Sequence, residues 1–237
     1  MVRISSDTNI AILGKIGSGK SMWTSRVLIP ALTRQKKGTL VILDAKNEYG
    51  SLKGAEVVWT PQALNNLLYG KDKPPKIIRV LISDPTVFTA ESMLQAAWAP
   101  FGSETKNEVY MPENPVRVFI EDAPIYYAEM GAKDPPWLKR FYVLGRAASR
   151  TICTTCQRTQ LVPKGVLNMS EHLIVFKTAN YDVENFIRRY YGDEEANAVR
   201  GLKRYQYVII SDLLDKPEIY DPISSRGMPK RPGGIEL

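Results

Sequence analysis

The sequence predicts an α/β fold in which a mostly parallel central sheet carries helices on both faces. Two apolar runs, TLVIL at 39–43 and KIIRVLI at 76–82, have the length of a strand and lack polar–apolar alternation. Strands of this kind are buried on both faces, as in parallel sheets. Segments with helical spacing, such as WLKRFYVLGRAA at 137–148, separate the strand-like runs. With 237 residues, 44% of them hydrophobic, the chain suffices for one large domain.

The elements follow one another as strands and helices along the chain. Strands are expected at 10–13, 39–43, 57–59, 76–82, 116–120, 151–155, 173–177 and 204–211. Helices are expected at 22–29, 61–69, 89–99, 124–130, 137–148, 182–191 and 193–202. The first helix should close near Pro30, because proline disrupts a helix interior. Beyond Asp215 the composition shifts to Pro, Ser, Gly, Arg and Lys, so we predict a domain at 1–213 and a C-terminal tail or arm at 214–237.

A glycine-rich loop stands between the first strand and the first helix. Its sequence, GKIGSGKS at 14–21, fits G-x-x-x-x-G-K-[ST] at every fixed position and is a Walker A loop, or P-loop. In such a loop, backbone N–H groups turn inward and cradle phosphates, and glycines allow that close approach. Nucleotide binding is therefore assigned to Gly14, Lys15, Ile16, Gly17, Ser18, Gly19, Lys20, Ser21 and Met22.

Two of these residues have further roles in a P-loop site. Lys20 is expected to reach the β- and γ-phosphates, which makes it a catalytic residue as well. The Ser21 hydroxyl is expected to bind Mg²⁺. ATP and Mg²⁺ are thus the predicted substrate and cofactor.

Polar residues follow the second predicted strand, in DAKNEYG at 44–50. The carboxyl ends of strands in open α/β sheets are where ligands bind, so Asp44 and Glu48 could position water or support other site residues. The alternative is a capped turn in which Asp44 or Asn47 bonds the local backbone. The residue chemistry does not decide between these two interpretations.

Adjacent carboxylates, Glu121 and Asp122, end the strand at 116–120. A phosphate-hydrolysing site needs one acid in the Mg²⁺ shell and another that polarises the attacking water. We assign Glu121 to the metal and Asp122 to the water, which makes this pair a candidate Walker B motif. One of the two could instead cap the helix that starts near Ala123. Farther along, Gln157 follows the strand at 151–155 and could sense the γ-phosphate through a water molecule.

Charge and cysteine content bound the possible partners. The net charge of +7 and the pI near 9.3 favour an anionic partner such as nucleic acid. Cys153 and Cys156 form a single C-x-x-C, and with His172 as the one histidine they offer too few ligands for zinc. We expect both cysteines to be core residues of a protein in a reducing compartment. We expect neither a signal peptide nor a transmembrane helix, hence a cytoplasmic protein.

Several of these motifs together resemble the FtsK/HerA superfamily of DNA-pumping ATPases. They are the Walker A loop, a second strand that ends in DAKNEY, an acidic strand end at IEDA, and GRAA followed by a strand into TCQR. The likeness spans about residues 10–176 and points to the small viral branch that packages genomes of membrane-containing icosahedral viruses. It implies a RecA-like core of the additional-strand P-loop NTPase type, assembled as a ring, usually a hexamer, with double-stranded DNA in its channel.

The resemblance also assigns residues. Lys20 and Ser21 match the phosphate and magnesium residues, Gln157 matches the polar sensor, and Arg146 matches an arginine supplied to the neighbouring subunit's nucleotide. An arginine across a subunit boundary stabilises charge on the transferring phosphate. Arg150 is the second choice for this role, and a surface ion pair is the alternative explanation for Arg146. The Glu–Asp order at 121–122 reverses the family's usual Asp–Glu order.

The sequence therefore predicts an ATPase that translocates double-stranded DNA, with a viral capsid as the expected destination. Capsid or membrane proteins of a virion would be further partners, with the host cytoplasm or the virion vertex as location. One alternative is a P-loop small-molecule kinase, which needs an arginine-bearing lid, for which the region 146–158 is the candidate. Another is a nucleotide-gated DNA-binding or assembly protein without productive turnover.

Overall fold

A computed structural model of the chain describes residues 8–35, 37–70, 72–82, 90–103, 114–127, 134–211 and 214–221. The strands in these ranges are β1 Ile10–Leu13, β2 Thr39–Leu43, β3 Ala55–Val58, β4 Ile77–Val80, β5 Val116–Ile120, β6 Arg150–Cys156, β7 His172–Phe176, β8 Tyr207–Ser211 and β9 Glu218–Tyr220. The helices are α1 Lys20–Trp23, α2 Ile29–Arg34, α3 Pro61–Tyr69, α4 Ala90–Trp98, α5 Pro124–Tyr127, α6 Pro136–Leu144, α7 Lys164–Asn168, α8 Tyr181–Tyr190 and α9 Asp193–Gly201.

Within the described residues, the strands form one sheet in the order β3-β4-β2-β5-β6-β1-β7-β8-β9. Strands β1 to β7 run parallel, and β8 and β9 add antiparallel partners at one side. The mostly parallel α/β sheet predicted from the sequence is confirmed. Because β1 lies between β6 and β7, the P-loop that follows it sits near the middle of the carboxyl edge.

Each face of the sheet has its own apolar core. Trp23, Leu28 and Ile29, from the helical stretch after the P-loop, pack with one face of the strands. Residues of α3, α4, α6, α8 and α9 pack with the other face. Cys153 belongs to the first cluster and Cys156 to the second, as strand alternation predicts. Both are free and buried, and burial raises the pKa of each thiol to about 12.

The helix after the P-loop does not close near Pro30, contrary to the prediction. It continues through Arg34, with a π-helical turn at Thr24–Leu28 between α1 and α2. The Ile29 amide donates to the Thr24 carbonyl, five residues earlier. This wider turn accommodates the proline, whose ring would crowd the preceding turn of a regular helix.

The sheet also continues beyond the expected end of the domain. The sequence places that end at residue 213, whereas β9 pairs with β8 from within the segment predicted as a tail. The rest of that segment, 222–237, lies outside the described residues. No helix in the described ranges combines the length and the hydropathy that a membrane span requires.

Candidate nucleotide-binding site

The P-loop runs from the end of β1 into α1, and close contacts at Gly14 and the backbone conformation at Gly19 disfavour a side chain at either position. Gly14 has a φ of 156°, and a Cβ there would lie 2.7 Å from Ser18 Oγ and 2.8 Å from Phe176 Cβ. Gly19 has a φ of 107°, in the left-handed region that other residues avoid. The Ser18 hydroxyl is buried and has no hydrogen-bond partner among the described residues. A narrow loop with an unused polar atom fits a phosphate group.

Lys20 lies inside this cradle. Its Nζ donates to the carbonyl of Gly14 and, at 3.0 Å, to that of Lys15. Burial lowers the pKa of the ammonium group, while the charges of Asp122 and Glu121 oppose that shift. The lysine is therefore held at the loop and within electrostatic reach of the acidic pair.

The P-loop forms one wall of a cavity of about 500 Å³. Residues 16–22 of the loop and helix line one side. Across from them lie Glu121, Asp122 and Gln157, so the structure brings together the predicted phosphate, acid and sensor residues. Three further lining residues, Lys46, Thr155 and Tyr205, were missed by sequence reasoning. The volume falls within the range of small-molecule sites.

Glu121 is buried, with 4% of its surface exposed, and its Oε2 has no hydrogen-bond partner among the described residues. Burial raises the pKa of its carboxyl to about 7, and the nearby Glu48 carboxylate adds to this shift. An unpaired carboxylate oxygen beside a second carboxylate fits a Mg²⁺ ion. In proteins this ion keeps several of its waters and binds one or two carboxylates. No group of three or more His, Cys, Asp or Glu side chains that could hold a metal ion occurs in the part of the chain that the structure describes.

Asp122 has a φ of 49°, a left-handed conformation at the point where the chain leaves β5. Its amide donates to Thr155 Oγ1 at 2.7 Å. Its carboxylate accepts hydrogen bonds from Lys46 Nζ and, at 3.3 Å, from Gln157 Nε2. The predicted base and the predicted sensor are thus direct neighbours. Lys46 shares the strand-end segment with Asp44 and Glu48, and that position is the signal that could have identified it.

The structure decides between the two interpretations of Asp44. Its carboxylate accepts from the amides of Glu48 and Tyr49, at 2.8 and 3.1 Å, and pairs with Arg79 at 2.8 Å. Asp44 is fully buried and caps the turn after β2. Glu48, by contrast, is exposed and lines the cavity.

The arginines proposed for contact with a neighbouring subunit lie at the amino edge of the sheet, opposite the edge that carries the P-loop. Arg146 is exposed in the turn at 145–149 that precedes β6, and because β6 runs parallel to β1, this turn is remote from the P-loop of the same chain. Arg150 is fully buried and donates to the carbonyls of Trp98 and Ala148 at 2.9 and 3.0 Å. Burial excludes Arg150 from contact with a neighbouring subunit, so the second-choice assignment is wrong.

Comparisons with known proteins agree with the fold and the motif. The family model for the central domain of helicase HerA matches residues 6–134. The genome packaging NTPase B204 from Sulfolobus turreted icosahedral virus 2, in complex with AMPPCP, is similar in structure, with a TM-score of 0.72 and 20% identity over 93% of this chain and 100% of that one. B204 from Sulfolobus turreted icosahedral virus, a DNA-packaging ATPase, has a TM-score of 0.67 and 21% identity over 92% of this chain and 98% of that one. VirB4 of Thermoanaerobacter pseudethanolicus has a TM-score of 0.59 and 9% identity over 94% of this chain and 92% of that one. No curated protein sequence matches the chain.

Proposed function

Since the chain belongs to the family of the HerA helicase central domain, we propose that it hydrolyses ATP to translocate double-stranded DNA, and that it serves as a viral genome-packaging motor. The structurally similar B204 proteins are a genome packaging NTPase and a DNA-packaging ATPase, and structures of the former contain AMPPCP and ATP-gammaS. The net charge of +7 suits a polyanionic partner.

One observation carries the proposal: a phosphate cradle and a pair of adjacent acids face the same cavity. Hydrolysis of ATP needs the terminal phosphate held in place and a water molecule polarised beside it. Gly14 and Ser18 shape the cradle, and Lys20 supplies its positive charge. Asp122 supplies the carboxylate on the opposite wall.

The acids divide the work according to their contacts. Glu121, with its unbonded oxygen next to Glu48, and the Ser21 hydroxyl would hold Mg²⁺. The bound ion would neutralise charge on the phosphates. Asp122 would accept a proton from the attacking water, and Gln157, 3.3 Å from the Asp122 carboxylate, would orient that water. Lys46 fixes the position of Asp122 through their ion pair.

Assembly completes the site in this proposal. Arg146 is exposed and far from its own P-loop, as expected of an arginine that contacts the nucleotide of a neighbouring subunit. A ring, most simply a hexamer, would place each Arg146 at a neighbour's nucleotide and double-stranded DNA in the central channel. Capsid or membrane proteins of a virion would anchor the ring, in the host cytoplasm or at the virion vertex.

The test is steady-state ATP hydrolysis with and without double-stranded DNA, with the oligomeric state measured in the same buffer. We expect DNA to stimulate turnover in the assembled protein, and DNA binding to weaken steeply with salt. Turnover indifferent to DNA would contradict translocation and favour a small-molecule kinase. Tight ATP binding without turnover would instead favour a nucleotide-gated switch.

A further inference from the structure

Tyr205 is an aromatic side chain of the nucleotide cavity that the proposed chemistry does not use. It lies in the short connection between α9 and β8, and it is half-buried. Because β8 is antiparallel to β7, its first residue, Tyr207, pairs with Phe176 at the carboxyl end of β7. The Lys177 amide donates to the Gln206 carbonyl at 3.2 Å and ties the connection to that edge. Tyr205 is thereby placed beside the P-loop.

The contacts of the ring are defined on two sides. A Cβ on Gly19 would lie 3.6 Å from Tyr205 Cδ1, so the ring stands in van der Waals range of the P-loop. The Arg204 guanidinium carbon lies 4.8 Å from the ring centroid, a cation–π distance. Tyr205 also has a φ of 65°, a left-handed conformation that a bulky residue rarely adopts. The backbone therefore holds the ring next to the loop at some conformational cost.

The order of the strands gives a nucleotide a direction in this cavity. The acids follow β5, and Gln157 follows β6, so both lie on one side of β1. Tyr205 precedes β8, on the other side of β1 beyond β7. If the terminal phosphate points toward Asp122 and the phosphate chain crosses the P-loop, the nucleoside extends toward Tyr205.

We infer that Tyr205, with Arg204 against its ring, is the platform on which the base of the bound nucleotide stacks. This inference rests on the proposed ATPase function and adds the recognition of the nucleoside to it. Stacking uses the flat face of a base and leaves its hydrogen-bonding edges unread. The platform should thus strengthen binding of ATP and GTP alike and contribute nothing to a ligand that lacks a base.

The experiment compares AMPPCP with inorganic tripolyphosphate, each with Mg²⁺, by calorimetric titration of the wild-type protein, Tyr205→Gly and Tyr205→Phe. Glycine removes the ring and is at ease in the left-handed conformation, so this variant keeps the loop intact. We expect Tyr205→Gly to bind AMPPCP about tenfold more weakly, with tripolyphosphate affinity unchanged. Tyr205→Phe keeps the stacking surface and should bind AMPPCP within about twofold of wild type.

Each other result would overturn the inference. Unchanged AMPPCP affinity in Tyr205→Gly would show that no base stacks there, and an equal loss for both ligands would show that the residue only supports the P-loop. Equal affinity of the wild-type protein for AMPPCP and tripolyphosphate would also remove the base platform while leaving the ATPase proposal standing. A wild-type protein that binds neither ligand would overturn the ATPase proposal and this inference together.

Discussion

The two ends of β6 differ in whether the buried polar groups there are hydrogen-bonded. At its amino end, the Arg150 guanidinium is fully buried and bonded to the Trp98 and Ala148 carbonyls and to the Tyr69 hydroxyl. At its carboxyl end, the chain meets the P-loop, where the Gly14 amide donates to the Cys156 carbonyl at 3.2 Å. There Gln157 and the nearby Glu121 border the cavity, and Glu121 keeps a buried oxygen without a partner among the described residues.

This difference separates stability from function. A buried polar group costs free energy unless it is hydrogen-bonded, so the amino end, where Arg150 is satisfied, contributes to folding. The carboxyl end leaves polar atoms for a ligand and is correspondingly costly for the folded protein. Substitutions at the carboxyl end should therefore affect activity first, and those inside the amino end should affect stability first. Arg146 is the expected exception, an amino-end residue that acts on a neighbour.

The largest effect is expected for Lys20→Ala at the carboxyl edge. Loss of the ammonium group removes both phosphate binding and stabilisation of charge during transfer, so kcat/KM should fall by on the order of 10⁴. Steady-state ATPase assays measure this. The exposed Lys53 offers a matched control, and Lys53→Ala should keep full activity. Unchanged turnover in Lys20→Ala would remove the Walker A assignment.

Asp122→Asn should lower kcat by about 10³ because the amide cannot accept the proton of the attacking water. Nucleotide binding should persist, since the substitution keeps the shape of the side chain. Single-turnover hydrolysis and a nucleotide-binding titration separate the two effects. If Asp122→Asn retains turnover and Glu121→Gln loses it with metal affinity intact, the roles assigned to the two acids are reversed.

Arg146→Ala should lower kcat by about 10³ in the assembled protein and leave the stability of the fold unchanged. Mixing this variant with Asp122→Asn should restore part of the activity, because an intact base and an intact arginine then meet at some interfaces. Hydrolysis by the mixture, compared with each variant alone, measures this complementation. The exposed Lys139, on the preceding helix, provides a control as Lys139→Ala. Full hydrolysis by assembled Arg146→Ala would refute the role in a neighbour's site.

Arg150→Ala should reduce the free energy of unfolding by about 3 kcal/mol, because it leaves carbonyl groups unbonded and opens a cavity. Urea denaturation measures the change. Arg146→Ala serves here as the control from the same edge of the sheet and should stay within about 0.5 kcal/mol of wild type. An equally small change for Arg150→Ala would erase the contrast between the two ends of β6.

The last effect, similar in size to that of Arg150→Ala, concerns the pH dependence of stability in the nucleotide-free protein. The folded state holds the Glu121 proton up to a pKa of about 7, whereas the unfolded chain releases it near the ordinary value of 4.5. Between these values the folded state binds more protons, so stability should fall as the pH rises, by about 3 kcal/mol in all. Glu121→Gln should abolish this fall and be more stable than wild type at pH 8.

Denaturant titrations at pH 4.5 and pH 8 on both proteins test this prediction. A wild-type protein whose stability does not decline relative to Glu121→Gln over that interval would contradict the raised pKa. If Glu121→Gln at the carboxyl edge stabilises the protein while Arg150→Ala at the amino edge destabilises it, the two ends of β6 differ in the sign of their effect on stability.

Local patterns of the sequence sufficed for much of the fold and for the centre of the site. The phosphate cradle is one contiguous stretch whose backbone dictates its residue types, so GKIGSGKS identifies it directly. The uninterrupted apolar runs likewise identify β2 and β4, because burial on both faces excludes polar side chains. The acids at 121–122 follow from their position after such a run. Pro30 shows the limit of local rules, since a π turn absorbs a residue that ends most helices.

Tertiary structure decided which distant residues meet at that cradle. Lys46, Asp122, Gln157 and Tyr205 belong to four separate segments, and the order of strands in the sheet alone brings them to one cavity. The sequence likewise left open whether Asp44 serves the site or a turn, and Arg79, from the adjacent strand β4, settles it. It ranked Arg146 above Arg150 by resemblance alone, because the exposure of Arg146 and the burial of Arg150 depend on what packs over each one. Motifs are properties of a contiguous backbone, whereas partners and burial are properties of the packed chain.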